Sequence, residues 1–240
     1  GVVNASIGSH EEAIVSYKRA LKINPDYFEV YNNLGVVLND SNKPDEAAGY
    51  LKKALRINPN YPEAYNNLGN SFKELDEIDQ SIESYKNAIN LNPNYIDPYT
   101  NLAIIYASKN ENEKAEYYFE KALEISPENI QNTLTFANHL YHQKLFERSK
   151  ELLFSIIKQN PYHLESLNRL GLCHLEQENY NAALSNFERA LEINPNQIEP
   201  LSNKGLTFYK KNDFKKAKEG FLRVLSLDSE YIEAINNLGR

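Results

Sequence analysis

The chain has no way to brace itself covalently: its 240 residues include a single cysteine, Cys173. No internal disulfide can form, so the fold does not depend on an oxidising compartment, which favours the cytoplasm. No apolar run reaches the ~18 residues that a membrane span needs, so membrane insertion is not expected. Positive charge is also short. With 26 Lys and Arg against 33 Asp and Glu, the formal charge is −7, and general nucleic-acid binding is excluded because it needs a basic face to displace counterions from phosphates. The opening GVVNASIG has no initiating methionine, charged leader or apolar signal core, and reads as part of a larger protein. Catalytic signatures are missing too: the chain has no Walker loop, GxGxxG, HExxH, CxxC or GxSxG.

What the chain has in quantity is asparagine, 32 residues spread throughout, and a period. A shift of 34 residues aligns Gly1, Gly35, Gly69, Gly171, Gly205 and Gly239, with Ala103 and Ala137 filling the gaps. Two further registers hold small residues, one running from Ala13 to Ala217 and one from Ala20 through Ala54, Ala88, Ala122 and Ala190. Pro25, Pro59, Pro93, Pro127, Pro161 and Pro195 form a fourth. Such a period marks an all-α solenoid of antiparallel helix pairs. In the repeat 62–95, Pro62 to about Leu75 is expected as the first helix, Asp76 to Asp79 as a turn, and Gln80 to about Leu91 as the second helix. Gly69 is expected to face Ser81, Tyr85 or Ala88, which lets the two axes come close. The INPN phrase is expected to end the second helix, its asparagine as a left-handed cap and its proline as a stop. Glu29, Glu63, Asp97, Glu165, Glu199 and Glu233 fall in the first turn of their first helices and suit the positive end of the dipole.

With these registers in place, the chain resembles the tetratricopeptide repeat family along its whole length. The resemblance rests on YNNLGN, the small residue twelve positions past the glycine, the aromatic, the alanine and NPN. It divides the chain into a partial repeat 1–27, repeats 28–61, 62–95, 96–129, 130–163, 164–197 and 198–231, and a partial repeat 232–240, all in one array. The departures are Thr133, Phe136 and Ile156 in the repeat 130–163, Lys204 in place of a core leucine, and Leu51 and Leu153 in place of the usual aromatic of the second helix. The resemblance implies a right-handed superhelix with first helices lining a concave face, and a module that docks proteins and peptides. No cofactor, no metal and no catalytic role are implied. The repeats look most similar to the asparagine-lined superhelix of O-linked N-acetylglucosamine transferases, which would make the chain a substrate-docking region whose catalytic partner lies elsewhere.

The paired asparagines are the candidate site. Asparagine costs on the order of half a kcal/mol against alanine in a helix interior, yet Asn33, Asn67, Asn101, Asn203 and Asn237 share one first-helix register, with Thr135 and Arg169 completing the row. Asn32, Asn66, Asn168 and Asn236 precede them by one residue, and Asn70 and Asn138 lie further along the same face. An amide offers a donor and an acceptor together, which matches the backbone of an extended peptide whatever its sequence. First helices ~10 Å apart would place one asparagine at every third residue of extended chain. The expected peptide-binding set is therefore Asn33, Asn67, Asn70, Asn101, Asn138, Arg169, Asn203 and Asn237. On this reading the ladder serves the ligand alone, and its replacement by alanine leaves the fold intact or slightly firmer. The other reading is that the asparagines bond the neighbouring helix. Arg169 takes either a ligand carboxylate or phosphate, or a neighbouring acid such as Glu165 or Glu199.

Other features have plainer readings. His139 and His142 lack the further ligands a metal needs, Cys173 reads as a small buried hydrophobe, and the sequons at Asn4 and Asn39 are expected by chance. A scaffold role remains an alternative, with head-to-tail stacking covering apolar ends.

Overall fold

The computed structural model of the chain describes residues 10–239; Gly1 and the sequon at Asn4 lie outside them. Fourteen helices and no strand make up the described residues. They form two compact units divided after Pro127. The first contains α1 (His10–Ile23), α2 (Phe28–Asp40), α3 (Pro44–Ile57), α4 (Pro62–Glu74), α5 (Ile78–Leu91), α6 (Ile96–Ser108) and α7 (Asn112–Ile125). The second contains α8 (Ile130–His142), α9 (Phe146–Gln159), α10 (Leu164–Glu176), α11 (Tyr180–Ile193), α12 (Ile198–Lys210), α13 (Phe214–Leu227) and α14 (Ile232–Leu238). Each unit is an all-α solenoid of helix pairs, and no helix among the described residues is long and apolar enough to cross a membrane.

The 34-residue registers are the contacts that close each pair. Tyr85 and Phe187 are fully buried, and their rings lie against Gly69 and Gly171, where a β-carbon would sit only 2.6 Å and 2.4 Å from the nearest ring atom. Leu51 and Phe221 fill the same place against Gly35 and Gly205. Where serine replaces alanine in the small-residue register, its hydroxyl is put to use. Ser81 Oγ donates to the Gly69 carbonyl and Ser149 Oγ to that of Ala137, both at 2.8 Å. The hydroxyl thereby avoids the penalty of a buried, unpaired polar group.

Two expectations about helix ends need correction. The left-handed residue lies after the first helix of each pair, at Asn42, Asp76, Asn110, Lys144, Glu178 and Asn212. There the next N–H reaches back to a carbonyl five residues earlier, as Glu77 N does to Phe72 O at 2.8 Å, so the last turn closes as a Schellman motif. This tight reversal starts the second helix at Ile78 rather than Gln80. The asparagine of INPN is extended instead, with φ −126° at Asn58 and −137° at Asn92. Its side chain makes the turn: Asn58 Oδ1 accepts from Asn60 N, and Asn92 Oδ1 from Asn94 N, each at 3.1 Å. An asparagine that bonds the backbone two residues on needs no left-handed φ to end a helix.

Lys204, the departure in α12, stays half-buried by directing its ammonium to Glu188 Oε1 at 2.9 Å. Cys173 is fully buried among Leu134, Leu153, Ile156 and Leu170, as expected for a small hydrophobe. Burial pushes its thiol up from the ordinary range.

Candidate functional site

In the first unit, α2, α4 and α6 present their asparagines along one face. Each successive pair of first helices is joined by a hydrogen bond between side-chain amides 35 residues apart. Asn67 Nδ2 donates to Asn32 Oδ1 at 2.9 Å, and Asn101 Nδ2 donates to Asn66 Oδ1 at 3.1 Å. The second unit repeats the arrangement between α12 and α10, where Asn203 Nδ2 donates to Asn168 Oδ1 at 3.0 Å. The paired asparagines thus divide the work. Asn32 and Asn66, the first of their pairs, are buried acceptors, while Asn67 and Asn101, the second, are half-buried donors from the next repeat. This overturns the expectation that the ladder is dispensable for the fold. Removing Asn67 would leave the Asn32 oxygen buried and short of a donor, a cost of about 1–3 kcal/mol that exceeds the helix propensity gained from alanine.

A hollow of about 340 Å³ opens over these bonds, lined by Val36, Asn39 and Asp40 of α2, Asn67, Asn70, Lys73 and Glu74 of α4, and Asn101 of α6. Asn70 is a junction here: its Oδ1 accepts from the Tyr85 hydroxyl at 2.7 Å and from Asn101 Nδ2 at 3.2 Å. Asn39, which sequence reasoning passed over, donates to the Asn67 carbonyl at 3.4 Å and accepts from Ser71 Oγ at 3.0 Å. Behind the hollow, burial is the main cause that pushes the Tyr95 phenol up; the carboxylates of Asp97 and Glu63 add to it and a hydrogen bond with Asn66 opposes it. That phenol stays protonated.

The remaining expected residues are placed unevenly. Asn33 is half-buried on α2. Asn138, in the register of Asn70, has lost both of its counterparts' partners, because Leu153 stands where Tyr85 would and Arg169 where Asn101 would. Its Oδ1 is shielded from solvent with no hydrogen-bond donor among the described residues. Arg169 lies in a second hollow of about 390 Å³ with Glu165, Asn168, Gln197 and Glu199. Asn237 does not join this hollow: it borders another, of about 460 Å³, with Tyr209, Phe214 and Phe221. Its would-be acceptor one repeat earlier is Ser202, which cannot reproduce the amide-to-amide hydrogen bond. His139 is buried and His142 exposed, and among the described residues no three His, Cys, Asp or Glu side chains are grouped to hold a metal.

The contrast between Asn70 and Asn138 gives a paired prediction. Asn70→Leu strands the Tyr85 hydroxyl and should lower stability by about 1–3 kcal/mol, whereas Asn138→Leu removes an acceptor that already lacks a donor and should be neutral or stabilising by up to about 1 kcal/mol. Urea midpoints of the two variants decide it. A shift of the same size and sign at both positions would refute the assignment of partners.

Four family models match the chain. One described as "TPR repeat" matches residues 5–41 and 69–110. Three described as "Tetratricopeptide repeat" match 28–61, 96–129 and 164–197, then 50–83, then 198–231. No curated protein sequence matches. Among solved structures, the C-terminal part of a TPR repeat-containing protein from Cytophaga hutchinsonii superposes with a TM-score of 0.77 at 16% identity, over 98% of this chain and 97% of that one. PilW, a type IV pilus biogenesis factor, gives 0.74 at 15%, over 88% and 98%. YrrB, described as a TPR protein with an unusual peptide-binding site, gives 0.64 at 22%, over 80% and 100%. Repeat models spread along most of the length, on helices that recur every 34 residues, show that the chain belongs to the tetratricopeptide repeat family, whose members are protein–protein interaction modules.

Proposed function

We propose that the first unit of this interaction module holds its partner through the backbone of an extended segment laid along the face of α2, α4 and α6, with Asn67 and Asn101 as the principal contacts, and that Asn203 offers the same kind of contact in the second unit. The observation that carries this reading is the amide-to-amide hydrogen bond each of them makes to the preceding repeat. That bond fixes which way the amide points. With Nδ2 turned to the neighbouring helix, the Oδ1 atoms of Asn67 and Asn101, which line the hollow, are left to accept a peptide N–H; Asn67 keeps a second N–H for a peptide carbonyl. A side chain already locked by its own fold loses less rotamer freedom on binding, so the contact is worth more than that of a mobile amide. The interlock and the ladder are therefore one device. YrrB is described as having a peptide-binding site, which agrees with the reading at the level of the shared fold.

Side-chain amide resonances of asparagine test this without any substitution. Titration with a neutral, unstructured peptide should shift the Asn67 and Asn101 signals in a saturable way, with those of buried Asn32 following less. Shifts confined to exposed turn asparagines such as Asn94 would sink the proposal.

A further inference from the structure

Arg169 interrupts the amide row with a charge, and its surroundings say what that charge is for. The guanidinium lies over the Tyr141 ring, 5.1 Å from its centroid. That ring is itself fixed, edge-on to Phe146 at 5.6 Å and packed against the cluster of Leu134, Leu153 and Cys173. Neither Glu165, one turn earlier on α10, nor Glu199 on α12 forms an ion pair with Arg169, although both line the same hollow. The alternative in which Arg169 serves a neighbouring acid is therefore not what the structure shows. The contact with the ring leaves the guanidinium its N–H donors, and none of them meets a protein acceptor among the described residues. Asn168 adds to this supply, since its Oδ1 is taken up by Asn203 and both of its N–H groups remain.

A flat cation held on an aromatic ring inside a hollow, with its donor edge unengaged, is arranged to take a planar or tetrahedral oxyanion through two parallel hydrogen bonds. We infer that Arg169 reads an acidic group, a carboxylate or a phosphoester, on a segment bound by the second unit, and so fixes the register of that segment beside Asn168 and Asn203. This rests on the extended-peptide reading above. The exposed carboxylates of Glu165 and Glu199 act against it at longer range, making the site less favourable for a dianion than for a monoanion. Tyr141 is a positioning residue that holds the fork.

The test uses four unstructured peptides that differ at one central position, carrying Glu, phosphoserine, Gln or Lys, titrated into the whole chain. The Glu peptide should bind about 10-fold more tightly than the Gln peptide, as for a hydrogen bond to a charged group at a half-exposed site. A stronger preference for phosphoserine would identify a phosphorylated partner instead. Arg169→Ala should abolish the preference, and Arg169→Lys should recover only part of it because an ammonium lacks the fork. Tyr141→Leu should weaken the preference without touching Gln-peptide binding. Glu165→Gln with Glu199→Gln should raise affinity for the acidic peptides alone. Equal binding of Glu and Gln peptides to the unaltered chain would overturn the role of Arg169 and leave the amide ladder standing. Binding of none of the four would overturn the ladder, and this inference with it.

Discussion

Gly69→Ala is expected to lower the stability of the first unit by about 1–3 kcal/mol, although alanine is the better helix former by about 1 kcal/mol. The sign is decided by Tyr85. A β-carbon at position 69 would meet its ring at 2.6 Å, and the ring is fully buried with its hydroxyl bound to Asn70, so it has nowhere to move. Overpacking of this kind costs about 1–3 kcal/mol, and displacing the ring breaks a buried hydrogen bond worth about another 1 kcal/mol. Gly49 is the control. It lies exposed in α3 with nothing within 4 Å of an added β-carbon, so Gly49→Ala should stabilise by about 0.5–1 kcal/mol. Gly171→Ala should behave like Gly69→Ala in stability, since Phe187 lies at 2.4 Å, but Phe187 has no hydroxyl and no tie to the amide row. Only Gly69→Ala should therefore also disturb Asn70 and Asn101. In a Tyr85→Ala background the clash disappears, and Gly69→Ala should then turn stabilising. Urea denaturation of the five variants, Tyr85→Ala alone included, gives the comparison, and an unchanged cost in the Tyr85→Ala background would mean that the ring is not the obstacle.

Ala103 and Ala137 show that this register accepts a methyl group where the helix pair was built around one. The penalty at Gly69 belongs to the fit of one pair, not to the position.

The period, the pairing of helices and the first-helix placement of the asparagines were legible because each follows from one repeated spacing. The lock between repeats was not, because its partners are 35 residues apart, one residue off the register that the self-comparison reveals. Helix propensity then misleads. It marks asparagine as a cost to be explained, and it cannot say whether a ligand or the neighbouring helix explains it. The left-handed residue after each first helix was hidden for a related reason. Asn42, Asp76 and Asn110 suit that conformation, but Lys144 and Glu178 carry no such signal and adopt it because the Schellman closure is the same in every pair. The junction at Asn70 and its loss at Asn138 depend on residues 15 and 31 positions away, and only the folded chain brings them together.

The largest effects are expected from separating the two duties of the ladder. Asn67→Ala with Asn101→Ala should weaken binding of a neutral extended peptide by roughly one to two orders of magnitude, since each lost hydrogen bond is worth about 0.5–1.5 kcal/mol net. Unlike substitutions that touch the ligand alone, it should also destabilise the first unit by about 1–2 kcal/mol per site. Asn32 and Asn66 then keep buried oxygens without their donors, and the propensity gain of about 0.5 kcal/mol does not offset that. Removing the buried partners as well tells the two duties apart. In a variant with Asn32→Ala and Asn66→Ala added, no buried acceptor is left unpaired, so stability should recover most of the loss, because replacing both members of a hydrogen bond is far cheaper than replacing one. Peptide binding should not recover, since the groups that meet the ligand are still gone. Asn32→Ala alone completes the set: Asn67 keeps its amide but loses its anchor, so affinity should fall by less than in Asn67→Ala, as expected when only preorganisation is lost. If peptide affinity instead follows stability through all of these variants and returns when stability returns, the asparagines serve packing alone and the ligand is held elsewhere.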